Sequence, residues 1–592
     1  MAYKSLQDCI DDLENSGQLI RIKEEVDPYL EIAAIHLRIH EAKGKAILFE
    51  KVKGSKYQAV SNLFGTTERS QFIFRDTLPN VKKMIALKSD PMSAIKHPFK
   101  NIGIALAAWK ALPKKVASHH FKKIKISDLP QIQCWEKDGG AFITLPIVYS
   151  EDADKPGVMN SNLGMYRIQL SGNDYIQDKE IGLHYQLHRG IGVHQTKWNQ
   201  LGKPMKVSIF IGGPPSHSFA AVMPLPEGLS ELTFAGALGG RRFRYMYDED
   251  GFCLSTDSDF VITGEVYPNE NKPEGPFGDH LGYYSLKHDF PLMRVKNVYA
   301  KKNAIWSFTV VGRPPQEDTA FGNMIHEMTG SAISSEIPGL HEVHAVDAAG
   351  VHPLLLAIGS ERYTPYYKNK QPQEILTIAN HILGTGQLSL AKFLFIANKG
   401  DDENLKTHDE EKFFQHILER IDLSRDIHFQ TKTTIDTLDY SGDGLNTGSK
   451  VIFAACGEKK RELLNELPKD FTLPASFQNP KLVTKGILAV EMVNSQWSLD
   501  NSQWTIENGL PLIIICDDAD FLAADFNNFL WVTFTRSNPS HDIYGINERF
   551  ENKHWCCDTL IIDARIKPHH APVLEKNAMA EKRVDEILKQ LH

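Results

Sequence analysis

The chain has 592 residues, 42% of them hydrophobic and 24% charged, which is the composition of a folded protein with several domains. Its 66 basic and 74 acidic residues give a formal net charge of -8, which argues against a nucleic acid as partner. Seven cysteines without CxxC spacing argue against a cysteine zinc site and indicate a reducing compartment.

The first hundred residues alternate between helical and strand patterns, which predicts an α/β domain over residues 1–115. A helix is predicted at 5–15, a strand at 18–26, a helix at 29–42 and a strand at 46–52. The opening helix lacks the apolar run of a secretory signal, and no apolar stretch has the length of a membrane span. We therefore expect a cytoplasmic protein without a transmembrane segment.

Short strands broken by glycine and proline dominate the middle of the chain and predict a mostly antiparallel sheet or barrel over residues 116–330. The strand-like segments are GAFITLPIVYS, VMNSNLGMYRIQL, PMKVSIFIGG and DFVITGEVY. Two segments between them, IGLHYQLHRGI and LSELTFAGAL, have helical patterns. A ligand site over the mouth of such a sheet is a usual arrangement.

The remaining residues, 331–592, return to an α/β pattern, so the fold class is α/β with several domains (α+β overall). Helices are predicted in QEILTIANHILGT and FFQHILERI, and strands in KFLFIAN, LIIIC and LIIDARI. The last segment, VLEKNAMAEKRVDEILKQLH, is an amphipathic helix. That helix either packs on its own domain or contacts another subunit.

Polar residues inside the apolar strands of the middle region are the candidates for a site. They are Asn162, Arg167, His184, His188, Glu231, Glu274 and Asp279. His184 and His188 stand four apart, which is metal-ligand spacing on a helix. A zinc-protease helix would need glutamate after the first histidine, and Tyr185 occupies that position. Purely structural histidines are the alternative.

Glu231 follows Ser230, a typical N-cap, so it lies in the first turn of a helix. The helix dipole alone favours a glutamate there, and a contact with a cation is the functional alternative.

Two acids, Glu274 and Asp279, flank the Gly-Pro-Phe-Gly turn of EGPFGDHLGYY. If they share an arginine, their pKa values can be driven apart, so that one acid serves as proton donor. Two solvated acids on a loop are the alternative. The chain lacks a GxxxxGK[ST] phosphate loop, a GxGxxG fingerprint and a GxSxG elbow.

Five segments in order, NLGMYR, HYQLHRG, PLPEGLSELTFAGALGG, EGPFGDHLGYY and VVGRPPQED, resemble the UbiD family of prenylated-FMN-dependent decarboxylases. The resemblance extends over most of the chain. It implies an N-terminal α/β domain, a central flavin-reductase-like split β-barrel that binds cofactor and metal, and a C-terminal α/β domain with an oligomerisation helix.

The resemblance also implies the ligands of the cofactors. A divalent cation such as Mn2+ would be held by Asn162, His188 and Glu231, and would bridge to the phosphate of prenylated FMN. Residues matching flavin contacts, with a nearby monovalent cation such as K+, are Met165, Tyr166, Arg167, Ala221, Val222, Met223 and Pro224. Lys392 matches a lysine that reaches the phosphate.

The implied reaction is reversible, non-oxidative decarboxylation of an aromatic or α,β-unsaturated acid through a covalent adduct with the prenylated flavin. Arg167 would orient the substrate carboxylate, and Glu274 or Asp279 would supply the proton. The resemblance further implies quinone biosynthesis, a flavin prenyltransferase as cofactor supplier, and a homodimer or homohexamer. A flavin reductase on a similar barrel, or a non-catalytic UbiD-like assembly protein, are the alternatives.

Overall fold

A computed structural model of the chain describes residues 2–89, 102–118, 120–185, 190–225, 230–363, 366, 370–442, 444–469, 471–493 and 509–589. The chain forms two compact units. The first contains Met1–Asp279, Tyr283–Thr329 and Val573–His592, and the second contains His280–Gly282 and Gly330–Pro572. The expected boundary near residue 115 lies inside the first unit, and the division into three domains stays a prediction.

The first unit opens as the sequence predicts, because local signals fix its first helix. Ser5 caps the helix Leu6–Asn15, its hydroxyl accepting the Asp8 N–H at 3.2 Å, and Leu6 and Leu13 face the core. A four-stranded sheet follows, in the order Leu19–Val26, Ala46–Val52, Gln58–Ser61 and Ile305–Ser307. The other helices assigned to this unit are Glu31–Glu41, Thr67–Ile73, Leu78–Ser89, Ile102–Ala111, Gly190–Gln200, Pro215–Val222, Glu231–Gly239 and Ala578–Lys589.

A nine-stranded sheet, curled into a half-barrel, forms the centre of the first unit. Its strands run in the order Phe142–Ile143, Ile168–Gln169, Glu180–Leu183, His288–Ala300, Phe260–Glu274, Met205–Ile211, Ile147–Glu151 and Ser161–Gly164, and Lys122–Ile124 also pairs with His288–Ala300. Every pairing in it is antiparallel, which confirms the prediction for this region. Smaller sheets contain Cys253–Ser255, Arg244–Tyr247 and Lys114–Lys115, and Phe277–Gly278 with Tyr284–Ser285.

The sheet is buried on both faces at its centre, which explains why segments such as 209–211 and 260–262 are apolar rather than alternating. Ile209 and Ile262 contribute to one hydrophobic core, while their chain neighbours Phe210 and Val261 contribute to another. Successive side chains of a strand point to opposite faces, so the sheet separates two cores. A sheet covered in this way gives rigid support to polar residues at its strand ends.

The second unit contains two five-stranded sheets with parallel centres and antiparallel edges. The first runs Leu340–Ala345, Leu354–Gly359, Phe393–Asn398, Gly448–Ala455 and Ile427–Thr433. The second runs Phe477–Thr484, Ile487–Met492, Leu512–Cys516, Thr559–Asp563 and Ile543–Ile546, and a separate hairpin pairs Arg549–Glu551 with His554–Cys556. The helices are Glu374–Leu383, Glu410–Arg420, Ala519–Ala524, Phe526–Arg536 and Pro539–Asp542, and Glu317–Glu336 contains the boundary between the units.

The last helix, Ala578–Lys589, departs from the predicted domain scheme. It belongs to the first unit and packs on the helix Glu31–Glu41, with Val584 and Ile587 fully buried. An ion pair of 2.9 Å between Arg38 and Asp585 supports this contact. The helix therefore packs within its own chain, and its expected role in oligomerisation stays a prediction.

The predicted fold class is confirmed by this mixture of helices, parallel sheets and an antiparallel half-barrel. Across the described ranges, none of the helices combines the length and apolarity that crossing a membrane requires.

Candidate active site

Arg167 lies at the centre of a buried charge network in the first unit. Its Nε and Nη2 donate to the two carboxylate oxygens of Glu274, both at 2.8 Å, and its Nη1 donates to Asp279 at 2.5 Å. Nη2 also donates to the Ser285 hydroxyl at 2.8 Å. Side-chain exposure is 9% for Arg167 and 0% for Glu274. The structure thus brings together the three residues predicted to be catalytic.

Strand ends position all three residues. The strand Ser161–Gly164 ends before Arg167, and the strand Ile168–Gln169 begins after it. The direction of the Arg167 side chain is therefore not set by the alternation of side chains along a continuous strand. Gly164 permits this break between the two strands, because a Cβ there would lie 2.3 Å from the Tyr166 ring. Glu274 is the last residue of the strand Phe260–Glu274.

The turn between the two acids is held by buried hydrogen bonds. Gly275 has a φ of +86°, which favours glycine, and its N–H donates to Gln169 at 2.9 Å. Asn173 donates to the Gly275 carbonyl at 2.8 Å, and the Gly278 N–H donates to Asp138 at 2.7 Å. These bonds fix the direction in which Asp279 leaves the turn.

The charge network sets the protonation of Glu274. Burial alone would raise the pKa of Glu274, but the charge and hydrogen bonds of Arg167, with a bond from His184, lower that pKa to about 2. His184 Nδ1 donates to Glu274 at 3.0 Å, and burial together with the nearby Arg167 lowers the pKa of His184. Glu274 is therefore ionised and His184 neutral near pH 7.

Two residues of this network were missed or misinterpreted from the sequence. Asp138 was not singled out, although it accepts N–H bonds from Gly278 and Trp135, and burial raises its pKa to about 7. His184 was considered for a metal, but it supports Glu274. The helix predicted over IGLHYQLHRGI is wrong for residues 181–183, which belong to the strand Glu180–Leu183, and residues 186–189 lie outside the described part of the chain. A histidine directly after an apolar strand was the available signal.

Two of the three predicted metal ligands, Asn162 and Glu231, are held on adjoining elements. Asn162 lies on the strand Ser161–Gly164, and the neighbouring Leu163 N–H donates to Glu231 at 2.9 Å. Ser161 and Ser230 hydroxyls lie 3.1 Å apart, which fastens the strand to the start of the helix Glu231–Gly239. As predicted, Ser230 caps this helix. The third predicted ligand, His188, lies outside the described residues.

The donor set fits a divalent cation. Glu231 offers a carboxylate and Asn162 an amide oxygen, both hard ligands of the kind such ions take. Burial raises the pKa of Glu231 to about 7, so the carboxylate lacks a full counter-charge within the described protein. Gly190 approaches so closely that a Cβ there would lie 2.0 Å from Asn162 Oδ1. The backbone at Gly190 therefore confines the Asn162 amide.

The residues predicted to contact a flavin form two stretches of chain, 165–167 and 221–224, joined by a main-chain hydrogen bond. The Met165 N–H donates to the Ala221 carbonyl at 3.1 Å, which ties the strand end to the helix Pro215–Val222. Val222 and Tyr166 are half-buried, Met223 is buried and Pro224 is exposed. The side chains of Tyr166, Val222 and Pro224 are thus partly accessible, while that of Met223 is not.

Lys392 stays untested as a phosphate ligand, and its contacts in the structure are those of a buried ion pair. It is fully buried in the second unit, and its ammonium group contacts Asp439 at 2.8 Å, Ser441 at 2.6 Å and the Ser537 carbonyl at 2.8 Å. An ammonium group has three N–H donors, and these three acceptors use them. Lys392 therefore has a structural role in this geometry, and we do not assign it to a cofactor phosphate.

Three family models match the chain, all described as domains of 3-octaprenyl-4-hydroxybenzoate carboxy-lyase. The N-terminal domain matches residues 10–88, the Rift-related domain 108–314 and the C-terminal domain 319–455. Among curated relatives, a protein of Chlamydia pneumoniae named as one subunit of 4-hydroxybenzoate decarboxylase is 33% identical, with 96% of this chain and 95% of the relative covered.

Solved structures with the same fold include two decarboxylase-class proteins. Vanillic acid decarboxylase of Sedimentibacter hydroxybenzoicus, in closed form, gives a TM-score of 0.65 at 22% identity, covering 80% of this chain and 97% of that one. A dimeric form of the UbiD-class enzyme HmfF from Pelotomaculum thermopropionicum, in complex with prFMN, gives 0.59 at 19% identity, covering 78% and 97%. With the matching family models and the full-length relative, these findings show that the chain belongs to the UbiD family of carboxy-lyases.

Proposed function

We propose that this protein decarboxylates an aromatic or α,β-unsaturated carboxylic acid, with prenylated FMN and a divalent cation as cofactors. The observation that carries the proposal is the buried network in which Arg167 binds both Glu274 and Asp279. Such a network is costly to bury, and replacing all of it with well-packed hydrophobic residues is often neutral or stabilising in proteins. Its position at strand ends, beside the Asn162 and Glu231 pair, favours a catalytic use.

A phenolic acid is the substrate class that the relatives favour. The Chlamydia relative is named for 4-hydroxybenzoate, the Sedimentibacter structure for vanillic acid, and the family models for a prenylated 4-hydroxybenzoate. The last name supports a role in the synthesis of a quinone ring. The prFMN complex of the HmfF structure supports prenylated FMN, and a flavin prenyltransferase would then have to supply it.

Arg167 would orient the substrate. Its N–H groups stay bonded to Glu274, Asp279 and Ser285, so it would attract and orient the substrate carboxylate through its buried positive charge. Contact of its carbon with the Phe277 ring, at 4.7 Å from the ring centre, limits its motion. When bound, prenylated FMN supplies an electrophilic ring system that takes up the electron pair left by the departing carbon dioxide.

Asn162 and Glu231, with His188, would hold the divalent cation against the cofactor phosphate. Main-chain carbonyls of 221–223 are the oxygen donors available for a monovalent cation such as K+.

The charge balance of the buried site indicates which acid donates the proton to the product. Glu274 is ionised and His184 neutral, so an ionised Asp279 would give the network around Arg167 a net charge of about -1. A substrate carboxylate would add a second negative charge to a buried site, so one acid should take up a proton with the substrate. Glu274 is held ionised by Arg167 and His184, so we assign this proton to Asp279. Asp279 then protonates the carbon that has lost carbon dioxide, which balances the consumption of one proton per turnover.

The proposal is tested by coexpression of the chain with a flavin prenyltransferase, followed by measurement of carbon dioxide release from a panel of acids. The panel contains 4-hydroxybenzoate, vanillate, a 3-prenyl-4-hydroxybenzoate and a dihydroxynaphthoate. We expect release from at least one acid by the wild type and by Glu249→Gln, an exposed control, but not by Glu274→Gln. Equal release by Glu274→Gln would reject the assignment. A flavin spectrum without release from any acid would favour a non-catalytic assembly protein.

A further inference from the structure

A group of three potential metal ligands lies in the second unit and shares no residue with the site described above. It consists of His280, His352 and Asp436, each with one ligand atom within 4.8 Å of the others. None of the three belongs to the Asn162, His188 and Glu231 set. We propose that His280, His352 and Asp436 form a second metal site, which binds a divalent transition-metal ion such as Zn2+ or Co2+. This inference is independent of the proposed decarboxylation.

Backbone geometry fixes two of the three ligands before any metal binds. His352 precedes the strand Leu354–Gly359, and its N–H donates to the Gly350 carbonyl at 2.8 Å. Asp436 follows the strand Ile427–Thr433, and its Oδ1 accepts the Leu438 N–H at 3.0 Å. Both residues therefore project from strand ends of the same sheet.

His280 is held by the residue that follows it. The Leu281 carbonyl accepts a bond of 2.8 Å from the buried Trp531 indole. Gly350 leaves room for the Leu281 side chain, because a Cβ at position 350 would lie 2.3 Å from it. The segment His280–Gly282 is thus fastened beside the loop that carries His352, and the two rings lie 6.0 Å apart, edge to face.

Charge gives the reason for a cation. Asp436 is 3% exposed, and a carboxylate so deeply buried needs a positive partner. His352 Nδ1 contacts Asp436 Oδ2. Imidazoles carry a positive charge only when protonated, whereas a divalent ion would balance Asp436 with both histidines neutral.

Ligand chemistry selects the class of ion. Two imidazole nitrogens and one carboxylate suit Zn2+, Co2+, Fe2+ or Ni2+ better than Mg2+ or Ca2+, which take oxygen ligands. At metal-ligand distances of about 2.0–2.2 Å, ligand atoms on one ion lie about 3–4 Å apart, so the cluster needs only small side-chain adjustments. Water completes the coordination shell.

A second group of potential ligands lacks the features of a metal site. It consists of Glu491, Asp518 and Asp520. Its carboxylates already accept bonds from Asn479, and Lys481 pairs with Asp520 at 2.7 Å. Two of its members are exposed and it offers no imidazole. We assign no metal to it.

The test uses the full chain, purified without the flavin prenyltransferase, stripped of metal and titrated with Co2+ while visible absorption is recorded. We expect d–d bands in the wild type, with affinity lowered at least tenfold by His280→Asn, His352→Asn and Asp436→Asn. The control His344→Asn should titrate as the wild type does, because His344 contacts Glu410 at 3.2 Å and, among the described residues, belongs to no group of three ligands. Glu231→Gln should also keep the bands, which separates this site from the one proposed for the flavin metal.

The proposal would be overturned if all three ligand variants bound Co2+ with the affinity of the wild type. It would also be overturned if the wild type showed no d–d bands. Copper gives a readout that does not depend on every variant folding. We expect the electron paramagnetic resonance spectrum of the wild type with one equivalent of Cu2+ to show coupling to two nitrogens. His280→Asn should reduce this to one nitrogen, and an unchanged spectrum from a folded His280→Asn protein would also overturn the site.

Discussion

The guanidinium of Arg167 and the carboxylate of Glu274 form a two-point ion pair, with both hydrogen bonds at 2.8 Å and Glu274 fully buried. A pair of this geometry is strong only while both partners are charged, because an isolated buried charge is costly. Its existence therefore links the fold of the half-barrel to the ionisation of Glu274, which we propose to be catalytic.

The first prediction concerns acid stability. The pKa of Glu274 is lowered from 4.5 to about 2, so its ionised form stabilises the folded state above about pH 4.5. This stabilisation is lost as the pH falls from about 4.5 to 2, and the shift corresponds to about 3 kcal/mol at most. Urea unfolding should show Glu274→Gln less stable than wild type at pH 6, with the difference shrinking toward pH 3. Glu249→Gln, at an exposed position, should show no such trend.

The second prediction separates the roles of the two acids. Asp279→Asn keeps the shape of the side chain but removes the proton, so carbon dioxide release by the loaded enzyme should fall about 10²- to 10⁴-fold. Asp279→Glu restores an acid and should recover part of the rate. Asp289→Asn, at an exposed position of the strand His288–Ala300, serves as control and should retain the wild-type rate. If Asp279→Asn released carbon dioxide at the wild-type rate, a group other than Asp279 would have to be the proton donor.

The third prediction tests Asn162 as a metal ligand by changing Gly190, which is not itself a proposed ligand. In Gly190→Ala the new Cβ would lie 2.0 Å from Asn162 Oδ1, so the amide must turn away from its present position. Mn2+ affinity, measured by calorimetry with FMN present, should drop at least tenfold, about 1.4 kcal/mol. Gly322→Ala is a matched control, because its Cβ would meet no atom within 4 Å. If both variants bind Mn2+ equally well, Asn162 is not a ligand.

Local signals explain which parts of the site could be predicted from the sequence. Ser230 and Glu231 follow a capping pattern that fixes a helix start, and the structure has that helix. The Gly-Pro-Phe-Gly turn between Glu274 and Asp279 likewise constrains its two acids over a short span. Arg167 is distant in sequence from both acids, and the family resemblance, rather than any spacing, joined them.

Predictions from the sequence were wrong or incomplete at positions whose structure is determined by tertiary contacts. The spacing of His184 and His188 is compatible with a helix, but His184 follows a strand paired in the half-barrel, and sheet pairing overrode the local pattern. No sequence motif surrounds Asp138. Its carboxylate accepts one N–H bond from a turn distant in sequence and one from its own loop, and such contacts leave no local pattern. Lys392 stands in a strand-like apolar run, and only the fold reveals that Asp439 lies beside it.

The last prediction concerns Lys392, whose contacts are those of a structural ion pair. Burial lowers the pKa of Lys392, and the charge of Asp439 at 2.8 Å opposes that effect. Lys392→Met would leave Asp439 buried without its cation, which should cost about 3–5 kcal/mol of unfolding free energy in urea. Lys392→Met combined with Asp439→Asn removes both charges and should recover part of this loss. FMN affinity should stay at the wild-type level in the double variant, whereas a tenfold loss of FMN affinity there would restore Lys392 as a phosphate ligand.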